Sequence, residues 1–107
     1  MKLSKDFSIA EFVPPGIYEK YLDKSVWFFD PRIVILAQFI RDRFGKSVTI
    51  NNYLVGGSYQ YSALRDHACT IGAENSQHRH GRALDVRVKL MSPDEIRADI
   101  IANFPLY

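Results

Sequence analysis

The sequence predicts an α+β fold, in which helices pack on one side of a small antiparallel sheet that includes residues near 47–52 and 82–90. Apolar residues alternate with polar ones in both stretches, and a period of two is typical of half-buried strands. Elsewhere, helix start signals precede apolar residues at helical spacing. A chain of 107 residues is long enough for one small core, so we expect a single domain over 1–107.

The first third of the chain predicts two short helices and an aromatic cluster. Ser8 and Glu11 have the spacing of a capping box, so a short helix should begin there and end before Pro14. A second short helical segment is expected over 17–22. The aromatic run 27–29 (Trp27, Phe28 and Phe29) favours core packing over a ligand platform.

Two longer helices have clear boundaries in the sequence. Asp30 followed by Pro31 predicts the start of the main helix, which should run over 31–44 and end at Gly45. Ser92 followed by Pro93, with a capping-box glutamate at position 95, predicts another helix to about residue 103. The expected apolar faces comprise Ile33, Leu36, Ala37, Ile40 and Phe44 in the first helix, and Ile96, Ile100, Ile101 and Phe104 in the second.

Composition excludes several classes of partner. The net charge is only +2, and the charged residues form no run of one sign, so we expect no nucleic-acid partner. No apolar stretch is long enough to cross a bilayer, and the N-terminus lacks the apolar segment of a signal peptide. We therefore expect a protein made in the cytoplasm. With Cys69 as the one cysteine, the fold does not depend on an internal disulfide.

The stretch 76–86 contains the clearest candidate for a chemical site. Its His78 and Asp85 lie on either side of Gly81, which permits a turn or a close backbone approach. The alternation after Gly81 places Leu84, Val86, Val88 and Leu90 on one face, and Ala83, Asp85, Arg87 and Lys89 on the other. An imidazole and a carboxylate held together can share a metal ion such as zinc. The alternative is a surface histidine near a strand aspartate, with which it can form an ion pair.

The whole string resembles a known zinc motif. Ser-x-His-x-x-Gly-x-Ala-x-Asp, met here from Ser76 to Asp85, is similar to the motif of the M15-type D-Ala-D-Ala peptidases, which share their fold with the hedgehog signalling domain. The resemblance implies a hedgehog/DD-peptidase-like fold, Zn²⁺ as cofactor, and His78 and Asp85 as metal ligands. It also makes Ser76 a hydrogen-bonding support for the site, and peptidoglycan peptides the substrate.

A second resemblance lies upstream. The order Asn51-Asn52, Gly56-Gly57 and Ser62-Ala63-Leu64-Arg65 is similar to that of small phage-type members of the same family. It implies that Arg65 faces the substrate, where a guanidinium can stabilise a carbonyl oxygen or grip a carboxylate. The alternative is an ordinary surface arginine. We assign no metal role to His67, Cys69 or Glu74, and we expect His80 to face solvent.

The resemblance covers only part of the family's catalytic set. In that family a late histidine is the third zinc ligand and a nearby glutamate is the general base, but here no histidine follows His80, and Glu95 reads as a helix cap. The chain is then a truncated enzyme, an inactive relative, or a protein whose partner supplies the ligand; we favour truncation at the C-terminus.

Two functions from different classes follow from these motifs. We expect a zinc metallopeptidase that hydrolyses peptidoglycan stem peptides, of the carboxypeptidase or endolysin type, acting at the cell wall after release or as part of a phage particle. The alternative is a non-catalytic peptidoglycan-binding or virion structural module on the same scaffold. A metal-stabilised domain without a peptide ligand is a third reading.

Overall fold

Helices and one small antiparallel sheet make up the described part of the chain, which confirms the predicted α+β class. The computed structural model describes residues 2–65, 78, 81–103 and 105. The α-helices are α1 (Pro15–Tyr21), α2 (Arg32–Phe44) and α3 (Pro93–Ala102), and the strands are β1 (Val48–Thr49) and β2 (Arg87–Val88). Short 3-10 helices span Ile9–Glu11, Leu22–Phe28 and Tyr53–Val55. Within these described ranges, no helix is long and apolar enough to cross a membrane.

The ends of α2 and α3 follow the capping signals in the sequence. The Asp30 carboxylate accepts a hydrogen bond from the Arg32 backbone N–H at 2.9 Å, and Gly45 ends α2 in the left-handed conformation with φ of 62°. At α3, the Glu95 N–H donates to the Ser92 hydroxyl, and the Glu95 carboxylate accepts from the Ser92 N–H, both at 3.2 Å. The predicted start of α3 and the capping role of Glu95 are therefore confirmed, while α2 begins at Arg32, one residue later than predicted, with Pro31 instead of Asp30 at the N-cap position.

The strands are much shorter than the sequence predicts. Only two residues of each stretch pair, with Val48 opposite Val88 in antiparallel register. The flanking backbone bonds to other segments: the Asn51 N–H donates to a carbonyl in the first 3-10 helix at 3.2 Å, and the Asp85 N–H donates to the Ser62 carbonyl at 2.6 Å. Leu90 has φ of 64° and is 83% exposed, so its predicted place in the core is wrong.

Two clusters of buried side chains hold the fold together. The main core joins the N-terminal segment, α2 and the middle of the chain around Phe12, whose ring stacks on Phe29 with centroids 5.6 Å apart. The second core contains Ile40 of α2, Val88 of β2 and Ile96 of α3. Both helices therefore pack on the face of the sheet that Val88 presents.

Several apolar side chains are exposed where the sequence predicts core. Phe29 is buried, but Phe28 is exposed and Trp27 is 85% exposed, so core packing of the aromatic run is wrong for these two residues. The run lies at the end of a 3-10 helix, where neighbouring residues point about 120° apart and cannot all face one core. Leu36 and Ile101 are likewise exposed on α2 and α3. The second short helix begins at Pro15, two residues earlier than predicted, because proline suits the first helical turn.

Candidate active site

The segment 62–65, which lies outside any helix or strand, forms the platform on which the candidate site is built. The Ser62 carbonyl accepts a hydrogen bond from the Asp85 N–H at 2.6 Å, and the Arg65 N–H donates to the His78 carbonyl at 3.0 Å. Two parts of the motif that are seven residues apart in sequence are thereby attached to the same short segment. Backbone bonds, rather than a regular sheet, bring His78 and Asp85 together.

The platform is anchored to the main core on its other side. The Leu64 N–H donates to the Phe12 carbonyl at 3.0 Å, and Leu64 itself is buried. The buried Asn51 side chain accepts a hydrogen bond from the Ser62 N–H and donates to the Val13 carbonyl, each at 2.9 Å. Because an unpaired buried amide is costly, this bridge fixes the platform relative to the N-terminal segment.

Gly81 allows the motif to approach the segment that precedes α2, in line with the turn or close backbone approach that the sequence predicts. Its φ is 66°, and a Cβ at this position would lie 2.5 Å from the Phe29 Cα. The Gly81 N–H donates to the His78 carbonyl at 3.1 Å, and its own carbonyl accepts from the Asp30 N–H at 2.9 Å. The turn after His78 is therefore held against the start of α2 by a contact that only glycine permits.

The His78 ring is oriented by the platform. Its Nδ1 lies 2.9 Å from the Ala63 carbonyl oxygen, which can only accept, so Nδ1 carries the proton of this bond. When the ring is neutral, its lone pair is on Nε2, and Nε2 lies 3.6 Å from Asp85 Oδ1. That distance is too long for a direct hydrogen bond. The two atoms therefore lie close together without a direct hydrogen bond between them.

The separation of these two atoms fits a shared zinc ion. Tetrahedral zinc with ordinary bond lengths to nitrogen and oxygen places those two ligand atoms about 3.4 Å apart. The observed separation is 3.6 Å. A backbone carbonyl on the second ring nitrogen is also the usual support for a histidine that binds metal. By donor type, tautomer and spacing, His78 and Asp85 fit two positions of a zinc site.

A third ligand is not found in the part of the chain that the structure describes. No group of three or more His, Cys, Asp or Glu side chains able to hold a metal ion occurs there. Several residues considered from the sequence lie outside the described ranges, namely His67, Cys69, Glu74, Ser76 and His80. The expected support from Ser76 and the solvent-facing position of His80 therefore stay predictions.

Arg65 lies beside the candidate ligands rather than on the open surface. Its side chain is only 11% exposed, its Nε donates to the Tyr61 carbonyl at 3.0 Å, and its Nη2 lies 3.4 Å from Asp85 Oδ2. Arg65 is therefore not an ordinary surface arginine. Asp85 presents one oxygen toward His78 and the other toward Arg65, while its side chain stays 52% exposed.

A cavity of about 240 Å³ opens next to this group, and it contains an arginine that sequence reasoning did not select. Residues 58–62 line it together with Arg65, Asp85 and Arg87. The Arg87 guanidinium carbon lies 3.5 Å from the centre of the Tyr59 ring, within cation–π range. The alternation along 83–89 placed Arg87 on the same face as Asp85, but it placed Lys89 there as well and did not distinguish the two.

A second cavity, of about 280 Å³, lies between Ser8–Glu11 and residues 48–55. Burial raises the pKa of the Glu11 carboxyl, which accepts a hydrogen bond from the Ser8 N–H at 2.7 Å. Among its described lining residues, no histidine or arginine accompanies this acid. The capping role accounts for Glu11, whereas the described lining of the cavity beside Asp85 combines one acid with two arginines.

Comparisons with protein-family models, curated proteins and solved structures give no match to this chain. The candidate site is therefore interpreted from its own geometry and from the resemblance of its motif.

Proposed function

We propose that this chain is a zinc metallopeptidase-like domain of the M15 type, with a hedgehog/DD-peptidase-like fold, which hydrolyses peptidoglycan stem peptides at the cell wall. One observation supports this more than any other. His78 Nε2 and Asp85 Oδ1 lie 3.6 Å apart, and the His78 Nδ1–H donates to the Ala63 carbonyl, so Nε2 is the ring nitrogen that can bind a metal. This arrangement suits a shared metal ion better than a hydrogen bond.

Each described residue of the site has a role in the proposal. His78 and Asp85 hold the metal, which when bound supplies a Lewis acid and an activated water. Arg65, next to Asp85, orients the peptide by its carbonyl oxygen or its carboxylate. The platform keeps these three side chains in a fixed relation, so little reorganisation is needed when a peptide enters. The third ligand and the general base are left unassigned.

A non-catalytic peptidoglycan-binding or virion structural module is the second candidate. It is favoured by the cavity, which offers Arg65 and Arg87 for binding, and by the absence of a third metal-binding side chain from the described ranges. Such a module needs a groove and a cation but no general base. It predicts that wall-type peptides bind without being cut.

The test is zinc-dependent release of D-alanine, or of L-Ala-D-Glu fragments, from a wall-type peptide. The enzyme proposal predicts release by the wild type, and loss with His78→Ala and with Asp85→Ala. Asp94→Ala is the matched control, because the Asp94 side chain is 90% exposed on α3 and its ion pair among the described residues is with its helix neighbour Arg97. Release that survives His78→Ala refutes the zinc site. Peptide binding without release by the wild type supports the binding module instead.

A metal-stabilised domain without a peptide ligand gives a different result. A chelator then lowers the melting temperature, while added peptide leaves it unchanged, because only a ligand that binds the folded state stabilises it.

A further inference from the structure

Arg87 is held rigidly although it lies at the edge of a cavity. Its Nη1 donates to the Ser62 hydroxyl at 2.9 Å and to the Ile50 carbonyl at 3.3 Å, and its plane lies close to the Tyr59 ring. Within the described residues, both hydrogen bonds of the guanidinium are made by Nη1. The edge formed by Nε and Nη2 is the one that grips a carboxylate with two parallel bonds.

The charges around the cavity favour an anion. Among the described residues that line it, the charged side chains are Arg65, Arg87 and Asp85, so two cations accompany one acid there. A metal ion bound at Asp85 makes the cavity more positive still. A guanidinium already immobilised by stacking and by two hydrogen bonds loses little conformational entropy when a ligand binds.

We propose that Arg87 is a peptide-binding residue that recognises a carboxylate of the peptide bound in the cavity beside Asp85. The inference rests on the proposed function for the nature of the substrate, a peptide, but not on whether the peptide is hydrolysed. Tyr59 and Ser62 act as positioning residues, because they hold the guanidinium plane and leave its Nε edge to the ligand. The carboxylate belongs either to the C-terminus of the peptide or to its glutamate.

Affinity for matched peptides tests this directly, measured by calorimetry on the full chain with and without zinc. Three peptides are compared: one with free carboxylates, one with a C-terminal amide, and one with an amidated glutamate. The wild type should bind the free acid about 10- to 100-fold more tightly than one of the two amides, and the identity of that amide tells which carboxylate is recognised.

Arg87→Gln should abolish this preference by weakening the binding of the free-acid peptide. The affinity for the peptide in which the recognised carboxylate is amidated should not change. Lys89→Gln is the matched control, since it removes the same charge two residues further along, outside the cavity lining, and should keep the preference. If Arg87→Gln does not fold, Tyr59→Leu decides, because Tyr59 is exposed and its loss frees the guanidinium while both Nη1 bonds stay possible. It should reduce the preference several-fold.

Three results overturn the inference. The first is equal binding of all three peptides by the wild type. The second is that Arg87→Gln, or Tyr59→Leu in its place, weakens the binding of the free-acid and amidated peptides by the same factor. The third is loss of the preference in Lys89→Gln. The binding readout does not require turnover. A carboxylate preference without hydrolysis therefore supports the role of Arg87 and contradicts the proposed peptidase activity. Hydrolysis without the preference supports the peptidase activity and contradicts the role of Arg87.

Discussion

The two cores of this protein differ in what they support. The main core continues directly into the candidate site, because Ala63 and Leu64 of the platform belong to it and Gly81 packs against Phe29. The second core joins α3 to α2 and β2 through three buried side chains and lies on the opposite face of the sheet from the cavity. The geometry of the site is therefore set by the main core, and α3 contributes stability from a distance.

A buried side chain and an ion pair attach α3 to the rest of the fold. Beyond Ile96 in the second core, Arg43 of α2 grips Asp99 with two parallel bonds, Nε to Oδ2 at 2.6 Å and Nη2 to Oδ1 at 2.9 Å. Bidentate pairs of this kind have well-defined geometry, but partly exposed ones contribute little free energy. Substitutions in α3 should thus lower the stability of the fold without moving the candidate metal-binding side chains His78 and Asp85. The following variants test this separation.

Phe12→Ala should have the largest effect. The ring is fully buried and contacts both Phe7 and Phe29, so its removal should lower the free energy of unfolding by about 3–5 kcal/mol. Urea denaturation measures the change. Phe28→Ala removes the same atoms from an exposed position and should cost about 1 kcal/mol. Equal losses in the two variants contradict the central place given to the main core.

Gly81→Ala should cost about 3 kcal/mol and weaken zinc binding as well. The new Cβ meets backbone atoms of Phe29 and Phe28, which cannot move aside as a flexible side chain does. Gly45→Ala is the control, because Gly45 also has a positive φ but has no atom within 4 Å of the added Cβ. This variant should lose only about 1–2 kcal/mol of unfolding free energy, because alanine is disfavoured at a positive φ, and it should still bind zinc. Similar losses argue against a close approach at Gly81.

Ile96→Ala should lower stability by about 2 kcal/mol, near the lower end for such substitutions, because a small cluster can partly collapse around the cavity. Zinc affinity should not change. Ile101→Ala, on the exposed side of α3, should stay within about 0.5 kcal/mol of the wild type. Loss of zinc in Ile96→Ala means that the second core shapes the site after all.

Acid should produce the smallest of these effects, at the start of α2. Hydrogen bonds from the Arg32 side chain and backbone lower the pKa of the Asp30 carboxyl from 3.8 to about 2. A folded-state pKa below the unfolded one stabilises the protein above the unfolded value, and this contribution is lost as the pH falls through about 4 to about 2. Asp30→Asn should flatten that part of the stability profile measured by urea midpoints. An unchanged slope would show that the cap does not titrate.

A residual slope is expected in Asp30→Asn. A hydrogen bond from the Gln38 side chain also lowers the pKa of Asp6, so this carboxylate loses a stabilising contribution in the same direction.

The helices of this fold could be predicted well, while the strands and the aromatic run could not. Capping depends on neighbours three or four residues apart, so Ser92 and Glu95 are sufficient to define the start of α3. Strand length depends on which distant segments supply hydrogen bonds, and the sequence does not show that Asp85 bonds to Ser62 instead of to β1. The exposure of Trp27 likewise depends on which side of the 3-10 helix Leu22–Phe28 faces the core. The types of residue in the helix do not determine this.

The candidate site could be predicted in part for the same reason. The motif defines His78 and Asp85, and the turn at Gly81 is a local property that was recognised. The platform joins them through backbone atoms of Ala63 and Ser62, and backbone bonding leaves no signature in side-chain type. The alternation placed Arg87 on the same face as Asp85, but only the cavity identifies it as a residue of the site.

The central claim is that His78 and Asp85 share a zinc ion, and zinc content after dialysis tests it most directly. The wild-type chain, incubated with excess zinc and dialysed, should retain about one ion per chain. His78→Ala and Asp85→Ala should each lose it, while Asp94→Ala should retain it. Zinc retained at the wild-type level by His78→Ala or Asp85→Ala, or no zinc in the wild type, would contradict the account.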